Sequence, residues 1–400
     1  MFALLLASVI SAADPSAHLA AADGGVDVPA DFIEDVRLLY GVVTCRGAPL
    51  PADLDAKAVE AFCAVEKPRY EKYAEHWAVS AREFLGKLDL PRLPAELVYP
   101  FGGGDLMTAL TAYPNATTIT TLSLELAGDP RRLAGLKDAK ALKKSLLAIA
   151  DASASTLISN DSLSKNLSKT QQGELPGQLS MHLMGLGMFG FEPVSVRYFR
   201  VEPDGSLHYY SKAEVLALDG QKAPSLKREW RSPDFSPAFA NVEIQFVPVG
   251  QSSAPRRIHR HIAANLSNEG LAKAPGILKH LEAKGRVAAM TKAASYLLWN
   301  TNFSVARDYL TAHAVFMVSD STGPPPRYWK RAGCAVQTYG SFQKSFLSTW
   351  EGYQQELRTE FATAKKLPMR FGYPDGSAEK RNHLITARCD AVTADGGVAP

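Results

Sequence analysis

The sequence predicts an α/β or α+β protein with N-terminal helices, one β-loop-α-β unit and a mixed, largely antiparallel sheet packed with helices. Three observations carry that expectation. Apolar residues recur at helical spacing from Phe32 to Phe84; an apolar run stops at Gly102-Gly103-Gly104 and a second begins at Thr117; and period-two alternation runs from Ser195 to Tyr210. With 46% hydrophobic and 21% charged residues, the 400-residue chain can bury one large core or two modest ones.

The elements follow in order. Residues 14–30, rich in Ala, Asp, Gly and Pro, are expected to be a flexible leader. A helical region spans 31–95. Its first helix starts at Asp31 as N-cap and carries Phe32, Ile33, Val36, Leu39 and Tyr40. A second helix fits Asp53–Cys63 and a third Pro68–Leu85, where Tyr70, Tyr73, Trp77, Ala81 and Phe84 form a stripe expected to be core. The main domain, 96–392, opens with the β-loop-α-β unit from Glu96 to Glu125 and is divisible into two lobes near residue 235. A polar helix is expected from Asp138 to about Gln171 and a buried helix from Leu179 to Met188.

From Val194 the chain reads as antiparallel. A hairpin turns at Pro203-Asp204-Gly205, and strands fit Val242–Val249 and Arg257–Ala264. This stretch is expected to end the alternating α/β series. Helices then fit Pro275–Glu282, Val287–Trp299 and Ser304–His313, and a strand Val315–Val318. Three prolines make Ser319–Trp329 a loop, because proline fixes φ and removes a donor. A strand at Ala335–Tyr339, a helix at Phe342–Ala364, short strands near Met369–Tyr373 and Leu384–Ala387, and a disordered tail at 393–400 complete the chain.

Phe2 to Ile10 is a short apolar run followed by Ser11-Ala12-Ala13, which reads as a signal peptide over 1–13, although no Lys or Arg precedes it. The expected location is secreted or periplasmic. No cysteine follows the run as a lipid attachment site, and no other stretch is apolar enough to span a membrane. Cys45, Cys63, Cys334 and Cys389 show no Cys-x-x-Cys spacing. In an exported chain, Cys45–Cys63 and Cys334–Cys389 are the simplest disulfides. A formal charge of +3, from 44 basic and 41 acidic residues, gives no strong field for nucleic acid, so none is expected as a partner.

The turn at Phe101, Gly102, Gly103 and Gly104, with Asp105 opening a helix and Glu125 ending the second strand, is the strongest candidate site. Glycines let a backbone approach a ligand, and an acid at a strand end accepts hydroxyl hydrogen bonds. Gly185-Leu186-Gly187-Met188-Phe189-Gly190 matches Gly-x-Gly-x-x-Gly, but it follows a helix and precedes a strand, so it reads as a helix end. His259 and His261 alternate on a strand, a spacing that metal sites use. They are weak metal candidates beside Arg256, Arg257 and Arg260, with His208, Asp320 or His383 as a third ligand. Asp320 and Ser321 in the proline loop, near Tyr328, form a second polar candidate with Ser295 and Tyr296. There is no Gly-x-Ser-x-Gly and no His-Glu-x-x-His, and the Ser-x-x-Lys matches at Ser162 and Ser341 lack companion motifs.

Residues 96–126, with Tyr113-Pro114-Asn115-Ala116 before the second strand, resemble the first half of class I S-adenosylmethionine-dependent methyltransferases. Pro100-Phe101 stands where an acid precedes the glycines in that family. The resemblance implies a Rossmann-like unit with S-adenosylmethionine against the glycines and Glu125. An exported chain would not meet that cofactor, so no cofactor is expected. A second resemblance rests on Tyr99–Asp105, Asn265–Leu271, Ala294–Leu297, Asp320–Pro325 and Tyr339-Gly340. These segments look like a family of bacterial exported proteins or lipoproteins with a Tyr-Pro-Phe-Gly/Ser-Gly-x-Asp signature, which implies an extracytoplasmic protein without assigning an activity.

The expected function is binding of a small-molecule or polymer ligand in a pocket lined by the 101–105 turn and the 319–328 loop, with Phe101, Gly102, Gly103, Gly104, Glu125, Ser321 and Tyr328 as contacts. The competing expectation is an extracytoplasmic hydrolase using Asp105 and Asp320, with His259 or His261 as acid, base or ligand. A methyltransferase-like enzyme is the third, for a chain that is not exported.

Overall fold

The computed structural model describes residues 28–47, 49–88, 93–159, 174–224, 226, 235–292, 297–342, 351–371 and 382–389. The expected signal peptide, nearly all of the leader, the 393–400 tail, and Ser162, Ser295 and Tyr296 lie outside them. The protein is α/β. Its strands are β1 (Glu96–Pro100), β2 (Thr118–Ser123), β3 (Phe191–Val201), β4 (Leu207–Tyr209), β5 (Asn241–Pro248), β6 (Arg257–Ala263), β7 (Val287–Thr291), β8 (Ala314–Ser319), β9 (Ala335–Gly340) and β10 (His383–Arg388). They form one mixed sheet in the order β4-β3-β5-β6-β2-β1-β7-β8-β10-β9.

Among the described residues, five strand pairings are antiparallel, all on the flanks. The four central pairings are parallel. From β1 the chain steps outward through β2 to β6, then returns to the other side of β1 and steps outward through β7 and β8. That reversal is a doubly wound order, and it makes the C-terminal ends of β1 and β7 a topological switch point. Strands from both sides of residue 235 share this sheet.

Helices cover both faces, as a parallel sheet requires. Leu97, Tyr99, Ala288 and Met290 face one core, shared with α1 (Ile33–Val43), α2 (Ala56–Lys72), α3 (Val79–Gly86), α4 (Leu106–Ala112), α5 (Ala139–Ser159) and α6 (Gly177–Met188). Val98, Val287, Ala289 and Met317 face the other, shared with α7 (Asn268–Lys273), α8 (Pro275–Glu282), α9 (Ser304–His313) and α10 (Pro326–Arg331). α11 (Glu351–Phe361) packs with Trp299 and Phe342 at the β9 edge.

Five expectations change. The helix expected over Val287–Trp299 is not formed in its first part: Val287–Thr291 is β7, a wholly buried strand between β1 and β8. Buried on both faces, it needs no period-two alternation, and its alanines imitate a helix. The helices foreseen at 53–63 and 68–85 are one run in which α2 passes through Pro68 and continues by a π-helical segment, Tyr73–Ala78, into α3. The alternating series also does not end at Val194. An inserted stretch forms the antiparallel flank, and α/β alternation resumes from β6. The described part of the 138–171 helix, α5, buries Leu142, Leu146, Ile149 and Ala152, so it is amphipathic rather than polar throughout. The proline loop is shorter than expected, because α10 starts at Pro326.

Two disulfides join Cys45 to Cys63 and Cys334 to Cys389, with Cα separations of 5.4 and 4.2 Å. Each closes a loop whose restriction in the unfolded chain is worth about 3–4 kcal/mol. Among the described residues, no helix is long and apolar enough to cross a membrane.

Candidate functional site

β1 delivers the chain to the glycine turn at the switch point. Its last residue, Pro100, has no N–H to donate, so it is tolerated at the strand end. Phe101 takes φ +60° and Gly103 φ +49°, two left-handed positions on either side of Gly102, and only the second is the residue type that adopts them freely. A Cβ on Gly104 would lie 2.7 Å from Met181 Cβ, so glycine is needed there for α6 to close over the turn. Asp105 then caps α4, accepting from the Thr108 amide at 3.2 Å.

The Asp105 side chain is wholly buried, and it meets Lys292, the residue immediately after β7, which is also wholly buried. Lys292 Nζ lies 2.5 Å from Asp105 Oδ2 and donates to Thr108 Oγ1 at 2.8 Å. The Tyr99 hydroxyl donates to Asp105 Oδ2 at 3.0 Å, and Thr108 Oγ1 donates to Oδ1 at 2.7 Å. Tyr73 Oη stands 3.3 Å from Thr108 Oγ1. Burial, and then the Asp105 carboxylate, hold the Tyr73 phenol well above its ordinary pKa.

The other sequence candidates gather at the neighbouring strand end. Asp320 follows β8; its amide donates to the Thr291 carbonyl of β7 at 3.3 Å, and its Oδ1 accepts from Thr322 N and Oγ1 at 2.8 and 2.5 Å. Asp105 and Asp320 are thus brought to the end of the same strand, the first through Lys292 and the second through Thr291. The Ser321 carbonyl accepts from Trp299 Nε1 and the Tyr353 hydroxyl, each at 3.2 Å. Phe101 and Tyr328 are partly exposed above this buried floor. Phe101 meets Phe303 edge-on at 6.0 Å. The guanidiniums of Arg307, Arg327 and Arg331 lie 4.1, 4.9 and 5.7 Å from the Tyr328 ring centre. Arg307 is 5% exposed. The sequence pointed to none of the three arginines.

Glu125 lies just past β2, 1% exposed. Its carbonyl is 2.7 Å from His261 Nε2, which ties it to the histidines of β6. His259 and His261 point to one face, as their spacing implies. They meet His182 of α6, at ring-centre distances of 4.3 and 5.0 Å, rather than His208 or His383. Thr121 Oγ1 sits between them, 3.0 Å from His259 Nε2 and 3.1 Å from His261 Nδ1, and His182 Nε2 is 3.1 Å from the Gly103 carbonyl. Burial holds His182 and His259 well below the usual histidine pKa and His261 at about 4, so the cluster is neutral. Arg260 faces away, pairing with Glu243 at 2.8 Å, while Arg257 stacks on Phe191 and Phe246. Among the described residues, no group of three or more His, Cys, Asp or Glu side chains could hold a metal ion. His208 instead pairs with Glu214.

Lys292 and His182 were missed. Lys292 ends an apolar run, the same outline that marks Glu125, but the alanines of that run give it a helical pattern. His182 stands four residues after Gln178 on a largely apolar helix, which is a polar pair on one face. The Gly185–Gly190 motif is a helix end: Gly185 packs on the Met107 amide, Gly187 on Thr44, and Gly190 leaves the helix at φ +75°. Chemically, the crest of the parallel strands offers a compensated ion pair, a ring of hydroxyl groups and an aromatic-cationic rim. Comparisons with protein families, curated proteins and solved structures found no match to this chain.

Proposed function

We propose that the protein is exported and binds a small molecule, or the end of a polymer, at the crest of its parallel strands between the 101–105 turn and the 319–328 loop. The buried Asp105–Lys292 pair at the switch point is the observation that carries this, because doubly wound sheets hold their ligands where neighbouring crossovers diverge. A left-handed Phe101 supports it, since strain of about 1–3 kcal/mol at a non-glycine residue gathers at ligand sites. The arginines around Tyr328 suit a ligand with a carboxylate or phosphate. Two disulfides fit an oxidising compartment and so support export.

A second reading, a nucleotide-type cofactor such as S-adenosylmethionine, is favoured by the doubly wound strand order and by Glu125 after β2. Against it, the turn is engaged from within: the Gly103 carbonyl by His182, and Gly104 by Met181. A hydrolytic role would draw on Asp105 and Asp320.

Thermal unfolding of the purified protein against small carboxylates, sugar phosphates, S-adenosylmethionine and NAD tests these readings. Binding at 100-fold excess over Kd stabilises by about 2.7 kcal/mol, which raises Tm by several degrees. An anionic ligand is expected to raise Tm in the native protein and not in Arg307→Gln. Equal shifts in both, or no shift with any compound, contradict the crest assignment; a shift with S-adenosylmethionine alone favours the second reading.

A further inference from the structure

A separate cavity of about 410 Å³ opens beside the π-helical segment, away from the crest. Its size is in the range of small-ligand pockets. One wall is a stacked pair, Tyr73 and Trp77, with ring centres 4.9 Å apart and planes at 27°. The π-turn creates this wall by adding a residue to the helical turn between them, and such turns occur often at functional sites. Trp77 is held in place by its indole N–H, which donates to the Arg370 carbonyl at 2.7 Å. Leu157 and the exposed Ile158 supply the apolar side.

Arg69, Lys72 and Arg370 bring positive charge to the cavity, His76 lies beside them, and among the described residues no acid lines it. Arg69 is compensated by buried Glu66 at 2.5 Å. Lys72 and His76 are exposed and form no ion pair among the described residues. An aromatic wall beside an ammonium, Lys72, that forms no ion pair among the described residues is complementary to a flat ring bearing a negative group, because the ring stacks while the anion meets the ammonium.

We propose that this cavity is a second binding site, for a planar aromatic carboxylate or a similar ring-bearing anion. Tyr73 gives it a link to the crest, since its hydroxyl stands beside Thr108. Isothermal titration with 2-naphthoate tests the proposal, with neutral 2-naphthamide as the control ligand and Lys57→Ala, an exposed lysine outside the cavity, as the control variant. Saturable 2-naphthoate binding is expected, weakened at least tenfold in Lys72→Ala/His76→Ala and in Trp77→Leu, unchanged in Lys57→Ala, and weakened by salt. The exposed Lys72 and His76 changes leave the core intact, so they serve if Trp77→Leu fails to fold. Equal affinity for the amide, unchanged affinity in the cavity variants, or no saturable binding overturns the proposal. Because the crest variant Arg307→Gln leaves this cavity whole, 2-naphthoate binding that survives in it separates the two sites.

Discussion

At the scale of single residues, Asp105 and Lys292 form an ion pair in which both side chains are wholly buried, so bulk solvent screens it little. Removing one partner strands the other, at a cost of about 3–5 kcal/mol, whereas removing both leaves a neutral site. Asp105→Asn and Lys292→Met are each expected to lower stability by that order in denaturant unfolding, and the double variant to recover a large part of the loss. Additive losses would mean that the two groups do not interact as the geometry implies. Asp105 was legible in the sequence because an acid after glycines marks a helix start. Lys292 is hidden because its partner is distant in the chain and its own strand, covered on both faces, carries no strand period. The three arginines around Tyr328 were hidden for a related reason: they come from α9 and α10, which only the two crossovers after β7 and β8 bring together.

At the scale of elements, β2, β6 and α6 meet through three imidazoles, and their burial makes the union sensitive to acid. In the unfolded chain a histidine takes up a proton near pH 6.5; in the fold, His261 does so only at about 4, and His182 and His259 also lie well below their ordinary value. Below pH 6.5 the unfolded state therefore binds more protons, and stability falls as the pH falls. The loss is up to about 1.4 kcal/mol per pH unit for each histidine, and for His261 it levels off near pH 4. Urea unfolding between pH 7.5 and 4.5 should show this slope, and His261→Gln should flatten it by about one proton; an unchanged slope would show that the imidazoles do not control it. The spacing of His259 and His261 revealed their shared face, but His182 required the packing of α6 against the sheet. Elements with a clear period or punctuation were legible: the hairpin at Pro203-Asp204-Gly205, the helix at Pro275, and the strand–turn–helix at Gly102. β7 was not, because a strand covered on both faces has no polar side to reveal its period.

At the scale of the whole molecule, misreading that one strand concealed the architecture. With Val287–Thr291 as a helix, the chain after Val194 looks like an antiparallel appendage. With it as β7, the sheet is doubly wound about β1 and flanked by antiparallel strands, with Cys334–Cys389 tying the segments beside β9 and β10 and Cys45–Cys63 tying α1 to α2. The strand order also explains why the glycine turn, Lys292 and the proline loop, which are far apart in sequence, arrive at one crest. The most direct measurement is a crystal structure with the anionic compound that most raises Tm. The ligand is expected at the crest, with its acidic group against Arg307 and its body between Phe101 and Tyr328. Ligand bound only elsewhere, with the crest unchanged, would contradict that expectation.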